Sequence, residues 1–223
     1  METATRQLTF LLAGPERRVL RWLAARLPRA WTPNFLTGVG VVGALLVGAG
    51  YALSAHHVAW LWLAVLGLAV NWFGDSLDGT LARVRKIERP KYGYYIDHMV
   101  DAFNTAVIGA GIGLSPYVSL PLAMVLVVVY LALSINVYLE SSVFGVFEIA
   151  YGIFGPTEVR ILLALVNVAL FAGAAWADLS AASVAWFANG AFAVVSVAMV
   201  GSLAARFAKN LTRLSRLEPA RRG

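Results

Sequence analysis

Apolar stretches long enough to cross a bilayer recur six times along the chain: Asn34 to Ser54, Val58 to Arg83, Tyr92 to Leu114, Tyr117 to Leu139, Thr157 to Trp176 and Ser183 to Arg206. Nothing else in the sequence constrains the fold as strongly. Hydrocarbon offers no water to a backbone N–H or C=O, so a spanning segment of about 20 residues has to be a helix with its bonds made internally. Composition agrees. The chain is 60% hydrophobic and 13% charged, with a mean hydropathy of +0.73, where an ordinary soluble domain carries about 25% charged residues. The expected fold class is all-α, a polytopic membrane protein with six transmembrane helices and an N-terminal amphipathic interfacial helix. One domain is expected over 1–223, with an interfacial arm over 1–32, the six-helix bundle over 34–206 and a basic tail over 207–223. No internal repeat or second domain is visible. With no cysteine, disulfides and thiolate metal sites are excluded.

The charges then orient the spans. All 18 Lys and Arg residues fall on one side of the expected bundle: the N-terminal arm, the 83–91 turn, Arg160, and from Arg206 onward. The opposite loops, around His56, Ser115 and Asp178, contain none. By the positive-inside rule both termini and the 83–91 turn face the cytoplasm. Net charge +6 is therefore read as membrane topology, and no nucleic-acid partner is expected. The first residues after Met1 carry no cleavable-leader pattern. Between Pro15 and Ala30, Arg17, Arg18, Arg21 and Arg26 alternate with Val19, Leu20, Trp22, Leu23 and Leu27. That pattern suits a basic amphipathic helix lying on an anionic leaflet, with a stop-transfer flank as the alternative. Trp60 and Trp62 are expected as interfacial anchors, and His56-His57 as a solvated turn. The small-residue stripe Gly40, Ala44, Gly48 predicts close helix packing.

Four aspartates of the chain's twelve acidic residues border these apolar spans: Asp75, Asp78, Asp97 and Asp101. The first two are three apart and the last two four apart, so each pair lines one face of a helix. A basic turn with Arg83, Arg85, Lys86, Arg89 and Lys91 separates them. Antiparallel helices joined there bring the two pairs to similar depth. Carboxylates gathered in a low dielectric repel unless cations hold them, which points to divalent metal, two ions, on oxygen ligands. The second span is also longer than a crossing needs, so its last turns are expected to line a wet or polar cavity.

The spacing of Asp75, Asp78-Gly79, Ala82-Arg83, Gly93, Asp97 and Asp101 resembles the signature of the CDP-alcohol phosphotransferase family, integral membrane enzymes of phospholipid synthesis. That resemblance implies a divalent-metal-dependent transferase using Mg2+ or Mn2+, with Asp75, Asp78, Asp97 and Asp101 as ligands and Asp101 also as general base. It places Asp78, Gly79, Ala82, Arg83 and Gly93 at the cytidine nucleotide. The stretch from Thr32 to Thr37 is similar to the family's first-span entrance, adding Asn34 and Thr37, although helix capping explains both equally well. The implied reaction moves a substituted phosphate from a CDP-linked lipid donor, CDP-diacylglycerol, to a small alcohol acceptor and releases CMP, at the prokaryotic inner membrane. A CDP-amino alcohol donor with diacylglycerol as acceptor is the alternative within the family. A cation-coupled transporter is the alternative outside it, although transporters carry repeats and midplane sites. A homodimer is implied, with Gly109 and Gly113 as a small-residue face for it.

The acceptor is the open point. Arg160 starts the fifth span, Glu158 precedes it by two residues, and Arg206 ends the sixth. A phosphate-bearing acceptor would use Arg160 with Arg206. Alternatively Arg160 pairs with Glu158 or Glu148 and Arg206 is a topological flank, or Glu140, Glu148 and Glu158 favour an amine-bearing head group.

Overall fold

The computed structural model describes residues 12–144, 156–176 and 180–218. Its helices are α1 (Ala13–Ala24), α2 (Pro33–Leu53), α3 (Leu61–Arg85), α4 (Pro90–Leu114), α5 (Leu120–Phe144), α6 (Pro156–Trp176) and α7 (Ala181–Leu217), with a single 3-10 turn, Val58–Trp60, before α3. No strand occurs among the described residues. The chain is an all-α polytopic membrane protein. Five segments, which contain α2, α3, α5, α6 and α7, are long and apolar enough to cross a membrane. Helix α4 has 25 residues, enough for a crossing, but Lys91, Asp97 and Asp101 lower its hydropathy. It lies between the spans α2 and α5, and we read it as the sixth.

Local chemistry sets the helix ends. Thr32 caps α2 by accepting from the Phe35 N–H at 3.1 Å, and Pro33 follows in the first turn, where a missing donor costs nothing. Capping thus falls to Thr32, not to Asn34 or Thr37. Helix α3 closes with Lys86 in the left-handed region (φ 56°) while Ile87 N–H donates back to the Ala82 carbonyl at 3.0 Å, a Schellman-type end that a non-glycine residue fills at some strain.

Helix α2 is the centre of the bundle, packed on α3 along one face and on α4 along another. Its small residues make both contacts close. A Cβ on Gly40 would stand 3.2 Å from the Asp75 backbone nitrogen, one on Gly48 would stand 2.9 Å from the Val107 carbonyl, and Ala44 is fully buried. In lipid, where no hydrophobic force drives helices together, such small-residue contact is the main source of cohesion. Outside this trio, α5 packs on α4, α7 on α5, and α6 on α3.

Three expectations need correction. The arm helix is shorter than Pro15 to Ala30, and its apolar face is turned to protein: Leu20 and Ala24 are buried with Leu36, Leu77 and Leu81. Pro28 explains the early stop, since it has no N–H to continue the ladder and disfavours a helical Leu27, and the Arg85 guanidinium takes up the carbonyls left open, those of Leu27, Pro28 and Trp31, at 3.1, 2.8 and 2.5 Å. Gly109 and Gly113 do not form a face for a second copy. Each is covered by α5 of the same chain, Gly109 by Val127 and Gly113 by Leu120 and Ala123. Beyond the expected end of the last span at Arg206, α7 continues through the basic tail to Leu217. The stretch from Glu140 to Arg160, which the sequence suggests as an interfacial segment between the fourth and fifth spans, is helix at both described ends, with Glu140 inside α5 and Glu158 inside α6. The expectations for Glu148, Asp178 and residues 1–11 and 219–223 lie outside the described residues.

Candidate functional site

The α3–α4 hairpin brings the aspartates together as their spacing implies, with one exception. Asp75, Asp97 and Asp101 each present an oxygen, and the three oxygens lie within 4.8 Å of one another. All three are partly exposed, the Asp97 side chain at 43% and that of Asp75 at 19%. Asp78 stands apart from this triple. One of its oxygens accepts from the Thr37 hydroxyl at 2.7 Å and the other from the neighbouring Gly79 N–H, so it ties the hairpin to α2.

A group of three carboxylate oxygens, drawn from two helices and partly buried, is a hard donor set. Among the described residues one guanidinium enters it, and a His98 ring nitrogen lies 3.4 Å from Asp97. Arg160 crosses from α6 and donates to Asp75 at 2.5 Å and, through Nε, to the Asn71 side-chain oxygen at 2.9 Å. The negative charge of the group exceeds that one guanidinium, and in a low dielectric the excess favours a divalent cation. The donor set therefore fits such an ion, held by Asp75, Asp97 and Asp101.

The expected nucleotide residues form the open side of the hairpin. A Cβ at Gly79 would meet nothing nearer than the Arg83 guanidinium at 3.5 Å, and one at Gly93 would meet nothing within 4 Å. Neither glycine is needed for helix packing, unlike Gly40 or Gly74. Ala82 is half-buried and Arg83 exposed, its guanidinium donating to the Thr80 hydroxyl at 3.1 Å. Asn34 reaches across the mouth to the Tyr92 hydroxyl at 3.0 Å, and Arg89 covers the Tyr92 ring. Thr37 is buried and joins the site only through Asp78.

The acceptor candidates separate. Arg160 faces the aspartates, whereas Glu158 accepts from the Leu12 backbone N–H at 2.8 Å, at the start of α1. Arg206 pairs with Glu140 at 3.1 Å. The sequence reading passed over several residues around the site. Glu16 accepts from Trp72 Nε1 at 2.8 Å and Thr157 at 2.5 Å, fastening α1 to α3 and α6. His98 is held between the rings of Tyr94 and Tyr138. Asn71, one helical turn before Asp75, holds Arg160. Its signal was present as a single amide in an apolar span, a position where a polar group needs a partner.

Fold and site together define a membrane-embedded helical protein with an acidic, oxygen-lined centre at one end of its bundle. The family model of the CDP-alcohol phosphatidyltransferases matches residues 30–202, which is most of the chain and includes the whole hairpin. The chain belongs to that family. It is also 35% identical over 99 residues to the phosphatidylinositol phosphate synthase of Cutibacterium acnes (strain DSM 16379 / KPA171202). That match covers 44% of this chain and 45% of the relative, so it spans less than half the length of either protein.

Proposed function

We propose that the protein transfers a phosphatidyl group from CDP-diacylglycerol to a phosphate-bearing polyol and releases CMP, in phospholipid synthesis. The observation that carries this is the triple of Asp75, Asp97 and Asp101 beside two glycines, Gly79 and Gly93, that packing does not require, in a chain of this family. The nucleotide lies along Gly79, Ala82 and Gly93, with Arg83 near its phosphates, Asp78 and Thr37 behind it and Asn34 at the mouth. Asp75, Asp97 and Asp101 would hold divalent metal, Mg2+ or Mn2+, and Asp78 would complete the set for a second ion by turning an oxygen from Thr37 or the Gly79 N–H. When bound, these ions neutralise the pyrophosphate and the departing CMP.

Asp101 takes the proton of the acceptor hydroxyl. The acceptor oxygen bonds to the phosphorus that carries diacylglycerol, the bridging P–O bond breaks, and its electron pair leaves with CMP. Arg160 receives the acceptor's phosphate. Two observations support an anionic acceptor over an amine. Arg160 is the charged acceptor candidate that reaches the aspartates, and both Glu140 and Glu158 are engaged elsewhere. The name of the relative, a phosphatidylinositol phosphate synthase, fits the same choice. The distribution of all Lys and Arg to one side supports an inner-membrane protein with the site and both termini in the cytoplasm. A homodimer belongs to this reading, on surfaces other than Gly109 and Gly113.

The test is CMP release in liposomes containing the full chain. CDP-diacylglycerol is offered with inositol phosphate, glycerol phosphate, inositol or serine, and CDP-choline or CDP-ethanolamine with diacylglycerol. Turnover is expected with CDP-diacylglycerol and a phosphorylated polyol, and only with Mg2+ or Mn2+ present. Turnover with the CDP-amino alcohols would reverse the donor assignment. No CMP release from any pair would sink the enzyme reading in favour of transport.

A further inference from the structure

We propose that Asn71 is a positioning residue for the acceptor, fixing where the Arg160 guanidinium stands between Asp75 and an incoming phosphate. The proposal rests on the reading of Arg160 as the acceptor-phosphate group and names the residue that controls it. Asn71 is only 2% exposed, and its amide can point only one way. Nδ2 donates to the Gly40 carbonyl at 2.9 Å, a partner that only accepts, so Oδ1 is the atom left for Arg160 Nε, at 2.9 Å. The backbone beneath is equally fixed. A Cβ added to Gly43 would collide with the Asn71 main chain, and one added to Gly74 with that of Gly40, so α2 and α3 lie in direct backbone contact at this level.

Arg160 comes from α6, a helix at the outside of the α2–α3–α4 trio that packs mainly on α3. A long, flexible side chain on a peripheral helix has many rotamers, and holding one costs entropy. Asn71 takes the inner N–H of the guanidinium and leaves its outer edge for anions. One outer N–H is on Asp75, and the others have no partner among the described residues. A planar fork gripped at Nε is oriented for bidentate contact with phosphate. Without the grip the guanidinium is free to turn fully onto Asp75, and the acceptor meets a side chain it has to reorient.

The experiment compares the parent, Asn71→Ala, Arg160→Ala and the double variant as full-length protein in liposomes. It measures KM for the better of inositol phosphate and glycerol phosphate, KM for CDP-diacylglycerol, and equilibrium binding of the same acceptor by calorimetry. Acceptor KM and dissociation constant are expected to rise about tenfold in Asn71→Ala, and further in Arg160→Ala, with the CDP-diacylglycerol KM within about twofold. The double variant should be no worse than Arg160→Ala alone, because Asn71 acts only through that side chain. Additive losses, or an equal rise in the donor KM, would make Asn71 a packing residue and overturn the proposal. An unchanged acceptor KM in Asn71→Ala, beside a raised one in Arg160→Ala, would overturn the positioning role alone. An unchanged value in Arg160→Ala would remove the acceptor reading and this inference with it. Should Asn71→Ala not fold, Asn71→Leu refills the volume and supports the same measurements.

Discussion

Two of the polar clusters that join helices in this molecule are built on opposite principles. At the α3–α4 hairpin, three carboxylates converge and, among the described residues, one guanidinium answers them. Between α5 and α7, Glu140 is met by Arg206 at 3.1 Å, by Asn136 at 2.7 Å and by Asn210 at 2.6 Å, so both of its oxygens receive donors and its charge is matched. A satisfied network of this kind rigidifies a helix pair. An acidic excess does the reverse, since like charges at low dielectric cost stability unless something cationic joins them. An ionisable residue in a membrane span is therefore not by itself the mark of a site. The balance of charge and donors around it separates a site from a brace.

Substitution should split the two clusters cleanly. The largest effect is expected for Asp101→Asn, which should lose roughly 10²- to 10⁴-fold in CMP release, the usual worth of a general base. Its thermal unfolding temperature should hold or rise, because one of several crowded like charges is gone. Near-normal turnover would end the base assignment, and a collapse of folding would break the contrast with the brace. Glu140→Ala should behave in the opposite sense. It takes one partner from Arg206 and one from each of two amides, and stability should fall by about 1–3 kcal/mol, under the loss typical of fully buried pairs because Glu140 is partly exposed. Turnover per folded molecule should stay within about twofold. Thermal unfolding in detergent together with CMP release reads both, and a Glu140→Ala protein of normal stability but low activity would make that cluster part of the site.

How much of this was legible beforehand follows from the distance over which each feature is determined. The hairpin and three of its aspartates could be read because helical period and an intervening turn fix their relation locally. Gly79 and Gly93 were singled out by the family resemblance, not by helical period. Asp78's preference for Thr37 was not legible, since it depends on which face of α2 lies against α3. The partner of Arg160 sits 85 residues away, beyond any local rule, and the nearer acids Glu158 and Glu148 were the natural candidates. Gly109 and Gly113 announced close packing correctly, but a small-residue stripe does not say whether its partner is another helix of the same chain or a second copy. The extent of α7 was written plainly enough: no glycine or proline lies between Gly201 and Pro219, so nothing stops the helix at Arg206.

The contrast between brace and site recurs within α3, in two glycines five residues apart, and the smallest expected effect tests it there. Gly74 lies against Gly40, where a Cβ would overlap backbone; Gly79 faces open space with the Arg83 guanidinium 3.5 Å away, an ordinary contact. Gly74→Ala should then cost about 1–3 kcal/mol by overpacking, because neither helix backbone can move aside. Gly79→Ala should instead stabilise the protein by up to about 1 kcal/mol, the usual advantage of alanine over glycine within a helix. If the nucleotide lies along this face, the same methyl group intrudes on it, and CMP affinity should fall severalfold while stability rises. A residue whose replacement improves the fold and weakens the ligand is kept for the ligand. Thermal unfolding and CMP titration on the two variants supply the comparison. Unchanged CMP affinity in Gly79→Ala would move the nucleotide off this face of α3, and a stable Gly74→Ala would remove the packing reason for the glycine that sits one residue before Asp75.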